Sequence, residues 1–596
     1  MGLIRRHPYV VWTACASVIF AVVWMLFCVW KTTPQFPGSD AYLSPQNTLF
    51  CIVSIYAPIQ SAFGARCIAA ANRYGLADSL VDHAHVLWSA AGLVAVMLFV
   101  AFLIARWTEP QHTVVRGRRL LGLDDFRRAA RIEARQFGRG LEIMRGLYLS
   151  TDRCVRHFLT IGSTGGGKTQ TILRLAVPAV RRGDRFLGVD QKGDLTSGLA
   201  DRNGRPPLLI APHDRRSAVW DVAVDLDSVE LIEEFAQRLY PPPAGENPMW
   251  SLGAAAILTT YMMACFHTHG KSWGWIDLYE YTRLDLEQSI ALAREHYPEA
   301  LRYIDSAEET SKGFDANFAS QVRIIRVLAK AWSGSQRPKF SVRQWMLDDT
   351  PRHQVVILQR STRYPTISNA WVSAMLDAAG ATVGDPALSE SKTRRIWMVV
   401  DEFAQLPKMK NFSALLDLGR SKGISVLLGT QDLSQISEAY GQYIASSWLT
   451  SIGTKFITRI NAGPSAQEVS ELVGEQDIEV EQETVTVSDN GRSTSISKTI
   501  VPRRVITPSE LVSKLSPYGR RGKTKGVNVL ILDHGEDAYI VKFPLIKLPN
   551  LRPASVPAAW TEGITEENLY SRRAVEIATP QDLTAEILSD ATNLEI

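Results

Sequence analysis

Phe158-Leu159-Thr160-Ile161-Gly162-Ser163-Thr164-Gly165-Gly166-Gly167-Lys168-Thr169 is the stretch on which the fold turns. Its first four residues form a short apolar run of the kind found in buried strands, and residues 170–177 continue in a helical pattern. The loop between them therefore joins strand to helix. Gly162 to Thr169 satisfy in full the eight-residue phosphate-binding pattern. Glycines at 162, 165, 166 and 167 let backbone amides turn toward phosphate oxygens without side-chain obstruction, and the positive end of the following helix adds to the attraction. In this reading Gly162, Ser163, Thr164, Gly165, Gly166, Gly167, Lys168 and Thr169 cradle ATP. Lys168 reaches the β- and γ-phosphates, and the Thr169 hydroxyl ligates Mg2+.

Downstream, the hydrolytic apparatus follows in pieces. Ile396-Trp397-Met398-Val399-Val400 is a continuous apolar strand ending in Asp401-Glu402. That places Asp401 beside the magnesium and makes Glu402 the candidate general base for an attacking water. Val426-Leu427-Leu428-Gly429-Thr430 reads as another buried strand, and Gln431 at its end is positioned to sense the γ-phosphate. Arg420, in Gly419-Arg420-Ser421-Lys422-Gly423, is either an arginine finger for a neighbouring subunit's nucleotide or an ordinary surface arginine. Residues 185–190 form a further strand, and Gln191-Lys192-Gly193-Asp194 a polar turn near the expected site. From Asp194 to the strand Val355-Val356-Ile357-Leu358 the interval is too long for one crossover, so a domain is inserted. The insert, about residues 225–350, carries apolar residues at helical spacing over 251–266, 285–295 and 318–332. It is expected to be all-α, and either contacts substrate or only stabilises the motor.

Upstream, residues 8–30 and 86–105 contain no charged side chain, and each is long enough to span the ~30 Å hydrocarbon layer. They read as a transmembrane hairpin enclosing a periplasmic segment, residues 31–85. Arg5 and Arg6 precede the first span and an arginine-rich stretch follows the second, whereas the enclosed segment holds only Lys31, Arg66 and Arg73 as basic residues. Both termini are then cytoplasmic by the positive-inside rule. A cleavable signal peptide and a buried core helix are the alternatives for the two runs; the first run is long for a signal peptide and the second leaves abruptly through Arg106. Cys51 and Cys67 lie in the enclosed segment and are there either a disulfide or two free thiols. No cysteine and histidine spacing resembles a zinc site, and His267-Thr268-His269 reads as a solvated helix end.

Residues 106–150 carry ten arginines against five acids, which points to anionic lipid headgroups, with DNA as the alternative. Residues 553–596 hold eight acids against Arg572 and Arg573 and read as a tail, either docking a partner or disordered. With 596 residues the chain exceeds one core and implies about three or four structural units. The expected division is a transmembrane hairpin (1–106), a basic juxtamembrane region (107–150), two motor segments (151–224 and 351–550) flanking the insert (225–350), and an acidic tail (551–596). Net charge is only +4, so any DNA-binding surface must be local.

The order of these pieces resembles the TraD/TraG-type coupling proteins of type IV secretion and conjugation. The resemblance runs over roughly residues 1–550: hairpin, Gly162 to Thr169, the Asp190-Gln191-Lys192-Gly193-Asp194 turn, Asp401-Glu402-Phe403 with Leu406-Pro407, Gly419 to Gly423 before Gln431, and Val501-Pro502-Arg503-Arg504 through Leu511. Gln191 departs from it, standing where a small residue or proline is usual. The resemblance implies an α/β fold: a RecA-like P-loop motor domain with an inserted all-α domain, preceded by the two-helix hairpin and assembled as a homohexamer in the bacterial inner membrane. It also implies an ATPase that receives relaxase-bound single-stranded DNA with its relaxosome proteins and pumps it into a type IV secretion channel. A motor for protein effectors only, an FtsK-like double-strand translocase and a nucleotide-binding scaffold without turnover are the other readings. Competent residues at Lys168, Thr169, Asp401, Glu402 and Gln431 speak against the scaffold.

Overall fold

A computed structural model describes residues 61–79, 81–86, 88–89, 113–241, 248–304, 308–334, 337–488, 491–520, 523–532 and 534–562, with Phe20, Trp24, Gly92 and Val96. The expected spans fall outside the described residues but for isolated positions. Among the described residues one helix, Met249–Ser272, is long and apolar enough to cross a membrane, and 78% of its apolar window is buried in the protein. The chain divides into two compact units, residues 1–115 with 478–501, and residues 116–477 with 502–596. In the first, helix Ser61–Asn72 buries Cys67, Ala70 and Ala71. Cys67 is disulfide-bonded; Cys51, for which the sequence leaves either a disulfide with Cys67 or a free thiol, lies outside the described residues. Strands β1 (Thr113–Gly117), β14 (Glu475–Ser488) and β15 (Gly491–Arg504) form a three-stranded sheet in the order β1-β14-β15.

The second unit is built on an eleven-stranded sheet. Its strands are β2 (Leu120–Leu121), β5 (Phe158–Ile161), β6 (Arg185–Asp190), β7 (Leu208–Ile210), β10 (Val355–Gln359), β11 (Ile396–Val400), β12 (Ile424–Thr430), β13 (Thr454–Ile457), β16 (Tyr518–Arg520), β17 (Lys523–Leu532) and β18 (Ala538–Pro544). Their order is β2-β18-β17-β13-β5-β12-β11-β6-β10-β7, with β16 on β17, and two separate two-stranded sheets pair β3 (Arg139–Met144) with β4 (Leu147–Ser150) and β8 (Val219–Trp220) with β9 (Lys339–Phe340). From β13 to β7 all pairings are parallel, and each strand of β5, β6, β10, β11 and β12 is buried at every residue. This is why these segments are continuous apolar runs rather than alternating ones. Successive side chains still go to opposite faces. Leu159, Ile161, Met398, Val400, Val426 and Leu428 join one core, Phe158, Trp397, Val399 and Leu427 the other.

The first of these cores continues into the insert without a break. Helices Val229–Leu239, Met249–His269, Leu286–His296 and Glu308–Ala331 surround Trp220, Trp273, Trp275 and Trp332, and Trp332 meets Trp371 of the motor helix Pro365–Gly384 edge-on at 6.0 Å between ring centroids. Asp285 caps its helix through the Gln288 amide, with the Gln288 side chain returned to the Asp285 amide. The second core is covered by helix Lys168–Arg182 and by the juxtamembrane stretch. Helix Leu123–Phe137 buries Phe126, Ala130 and Ala134, while Arg119 pairs with Asp537 at 2.6 Å and Arg153 with Glu133 at 3.1 Å. Arg119 is thus tied to the motor by an ion pair while 59% of its side chain stays exposed. Residues 551–562, expected as the start of the tail, are likewise fastened to the motor. Val556 N–H donates to the buried Asp214 carboxylate at 2.7 Å, and Trp560 packs on Tyr364 at 4.7 Å. The attachment uses the Val556 amide and the Trp560 ring, in a stretch whose one acid is Glu562; residues 563–596 lie outside the described set.

Candidate nucleotide site

Because Thr430 lies beside Ile161, Leu428 beside Val400 and Val189 beside Val400, the carboxyl ends of β5, β12, β11 and β6 open on one edge of the sheet. Gly162, Asp401-Glu402 and Gln431 follow directly on three of these ends. Residues spread over 270 positions of sequence therefore meet in one place, between Gly162 and Gln431. Ligand crevices of open α/β sheets form at such strand ends.

The loop is held from outside its own sequence. Ser163 donates from its amide to the Arg459 carbonyl at 2.8 Å and from its hydroxyl to the same oxygen at 3.0 Å. A Cβ at Gly162 would collide with the Thr458 hydroxyl, and Gly167 combines φ of +110° with a Val527 methyl 2.7 Å from where a Cβ would lie. At Gly162 and Gly167 the cradle thus has room for backbone but not for a side chain. Helix Lys168–Arg182 starts immediately after it.

Lys168 is buried, and its ammonium donates to Glu402 Oε1 at 2.5 Å. Gln431 Nε2 donates to the other oxygen, Oε2, at 3.1 Å, and Thr164 Oγ1 donates to Gln431 Oε1 at 3.3 Å. One network therefore joins the loop, the end of β11 and the end of β12. Glu402 has φ 54° and ψ 46°, left-handed backbone that a glutamate seldom adopts. Its amide donates to Asp401 Oδ1 at 3.0 Å. Burial lifts the Asp401 carboxyl above its usual range, with Lys168 opposing the shift. Asp190 accepts from the amides of Gly193 and Thr196 at 2.8 Å each, which shapes the turn at 191–194. Burial raises its carboxyl too. Gln191 is half-buried in this turn, and both Asp190 oxygens accept hydrogen bonds, Oδ1 from Gly193 and Oδ2 from Thr196.

Donor chemistry and cradle suit a nucleoside triphosphate with Mg2+: amides and an ammonium for phosphate, and the Thr169 hydroxyl and Asp401 carboxylate as hard oxygen ligands. Among the described residues no group of three or more His, Cys, Asp or Glu is placed to hold a metal by itself. Arg420 stands apart. It pairs with Asp152 at 2.8 Å on the opposite edge of the sheet, before β12 begins, with 54% of its side chain exposed. His267 meets His296 ring to ring at 3.0 Å between Nδ1 atoms, at the ends of two insert helices. The sequence pattern did not point to Arg459, Thr458 or Val527, which brace the loop from β13 and β17, nor to Arg360 after β10.

Comparison with known proteins places the architecture. A family model described as the type IV secretion-system coupling protein DNA-binding domain matches residues 142–521. The coupling protein TraD of Escherichia coli K12 is 24% identical over 416 residues, 66% of this chain and 55% of TraD. The conjugal transfer protein TraG of Rhizobium radiobacter is 32% identical over 119 residues, 20% of this chain and 19% of TraG. The chain thus spans about half or less of the length of these curated relatives. Among solved structures, the bacterial conjugative coupling protein TrwBdeltaN70 in its unbound form superimposes with a TM-score of 0.59 at 21% identity, over 76% of this chain and 98% of that one. TrwB in complex with ADP and Mg2+ gives 0.58 at 21% identity, over 76% and 99%. On a match over residues 142–521, the greater part of its length, the chain belongs to the type IV secretion-system coupling proteins.

Proposed function

We propose that this protein is a membrane-anchored ATPase that drives single-stranded DNA, delivered with its relaxase, into a type IV secretion channel. The observation that carries it is the convergence of Lys168, Glu402, Gln431 and the glycine cradle on one strand edge. Lys168 and the loop amides bind the β- and γ-phosphates of ATP, and Thr169 and Asp401 hold Mg2+, which when bound neutralises charge on the phosphate oxygens. Glu402 accepts a proton from water as Gln431 orients its carboxylate from the far side. TrwB, solved with ADP and Mg2+, has the same fold, which suits this assignment.

The reading extends to the parts beyond the site. Residues 8–30 and 86–105 span the inner membrane with both termini in the cytoplasm, consistent with where the arginines fall. Residues 225–350 are the substrate-facing insert, and six copies form a ring in which Arg420 serves the next subunit's nucleotide. The exposure of Arg420, and its place on the edge away from its own loop, favour that arrangement. The test is ATP hydrolysis by the full-length protein in lipid nanodiscs, alone and with single-stranded or double-stranded DNA. Stimulation by single strands that vanishes in Lys168→Ala, with membrane insertion intact, is the expected result. Activity indifferent to every DNA form transfers the assignment to protein-only secretion, and preference for duplex to a double-strand translocase.

A further inference from the structure

Arg360 follows β10 and is 6% exposed. Its amide donates to the Asp190 carbonyl at 2.8 Å, which fixes its backbone beside the end of β6. One guanidinium nitrogen donates to Asn369 Oδ1 at 2.8 Å. The other two, Nε and Nη1, are buried without a hydrogen-bond partner among the described residues. Unpaired buried donors on a cation are costly. Such a group persists where a partner arrives at another stage of a cycle. Glu402 is the acid whose charge acts on Arg360, opposing the downward shift that burial imposes on the guanidinium. The two are also tied through the chain: Asn369 Nδ2 donates to the Gln405 carbonyl at 3.4 Å, and Gln405 sits in the turn that Glu402 opens.

Lys168 has one ammonium and two demands on it. It cannot stay 2.5 Å from Glu402 and also neutralise phosphate. We propose, resting on the ATPase reading above, that Arg360 is a positioning residue for hydrolysis: it becomes the counter-charge of Glu402 when Lys168 turns to phosphate, and so holds the carboxylate toward water. Its planar fork, with two donors free, is suited to a carboxylate in a way that a second lysine is not.

The experiment uses full-length protein in nanodiscs carrying Arg360→Gln, Arg360→Lys or Asn369→Ala. It reads kcat, KM, and the affinity for a fluorescent ADP analogue with Mg2+. For Arg360→Gln the expected kcat falls about 10- to 100-fold while KM and analogue affinity stay within about threefold, a loss on the scale of proton-transfer catalysis. Arg360→Lys, which keeps the positive charge, restores part of kcat. Asn369→Ala, at a half-buried position, lowers kcat without changing analogue affinity. An unchanged kcat in Arg360→Gln, or analogue affinity falling in step with kcat, overturns the proposal. Should Arg360→Gln not fold, an unchanged kcat in Asn369→Ala overturns it instead. Absence of hydrolysis in the wild type, with Lys168→Ala no different, removes the ATPase reading itself.

Discussion

Glu402 and His157 are the two non-glycine residues with positive φ among the described residues. The first belongs to the candidate site, and its strained backbone is consistent with a carboxylate that must be aimed. Glu402→Gln keeps the hydrogen-bonding shape but accepts no proton. It is expected to lower kcat by about 10²- to 10⁴-fold with nucleotide affinity retained, as checked by steady-state turnover beside equilibrium binding. His157 is structural. Its Nδ1 accepts from the Val426 amide at 3.1 Å and its Nε2 donates to the Leu416 carbonyl at 3.0 Å, so the neutral ring is what the site accommodates. Burial depresses its pKa from 6.5 to about 4. The unfolded chain takes up this proton below 6.5 and the folded chain only below about 4, so the stabilisation is complete above 6.5 and drains away as pH falls toward 4. The difference in unfolding free energy between wild type and His157→Gln should therefore narrow over that window in denaturant titrations.

Helix Pro365–Gly384 connects the candidate site with the insert. Its first turns carry Asn369, near Arg360, and further along Asp377 pairs with Arg238 of the insert at 2.6 Å, with side-chain exposures of 6% and 7%. Removing one member of so buried a pair strands the other charge. Arg238→Ala is expected to destabilise the protein by about 3 kcal/mol, and adding Asp377→Ala should recover part of that loss in thermal unfolding. Elements with a local signature were legible in the sequence: the strand, loop and helix from Phe158 onward, the strand before Asp401, and helices of the insert. Those defined by a distant partner were not. β17 and β18 follow a polar hairpin and show little by themselves, yet β17 supplies Val527 against Gly167. Residues 551–562 read as tail because their composition is acidic beyond them, although Val556 and Asp214 fasten them.

For the whole molecule, the decisive separation is between the two edges of the sheet. Gln431 and Arg420 are eleven positions apart in sequence, but β12 runs between them, about 20 Å at about 3.3 Å per residue. One subunit cannot use both on the same nucleotide, whereas neighbours in a ring can. Mixing Arg420→Ala with Glu402→Gln subunits, each inactive, should restore hydrolysis, because some interfaces then combine an intact Glu402 with an intact Arg420; no recovery in mixed assemblies would return Arg420 to the surface. The amino-acid sequence by itself determined the candidate phosphate loop, its strand and helix, and the candidate carboxylates at a strand end, because these are read from contiguous residues and their spacing. The tertiary structure alone decided that Lys168 and Gln431 grip opposite oxygens of Glu402, that Thr458, Arg459 and Val527 brace the cradle, and that Arg360 lies buried with donors to spare. Those relations depend on strand order and register, which contiguous pattern does not encode.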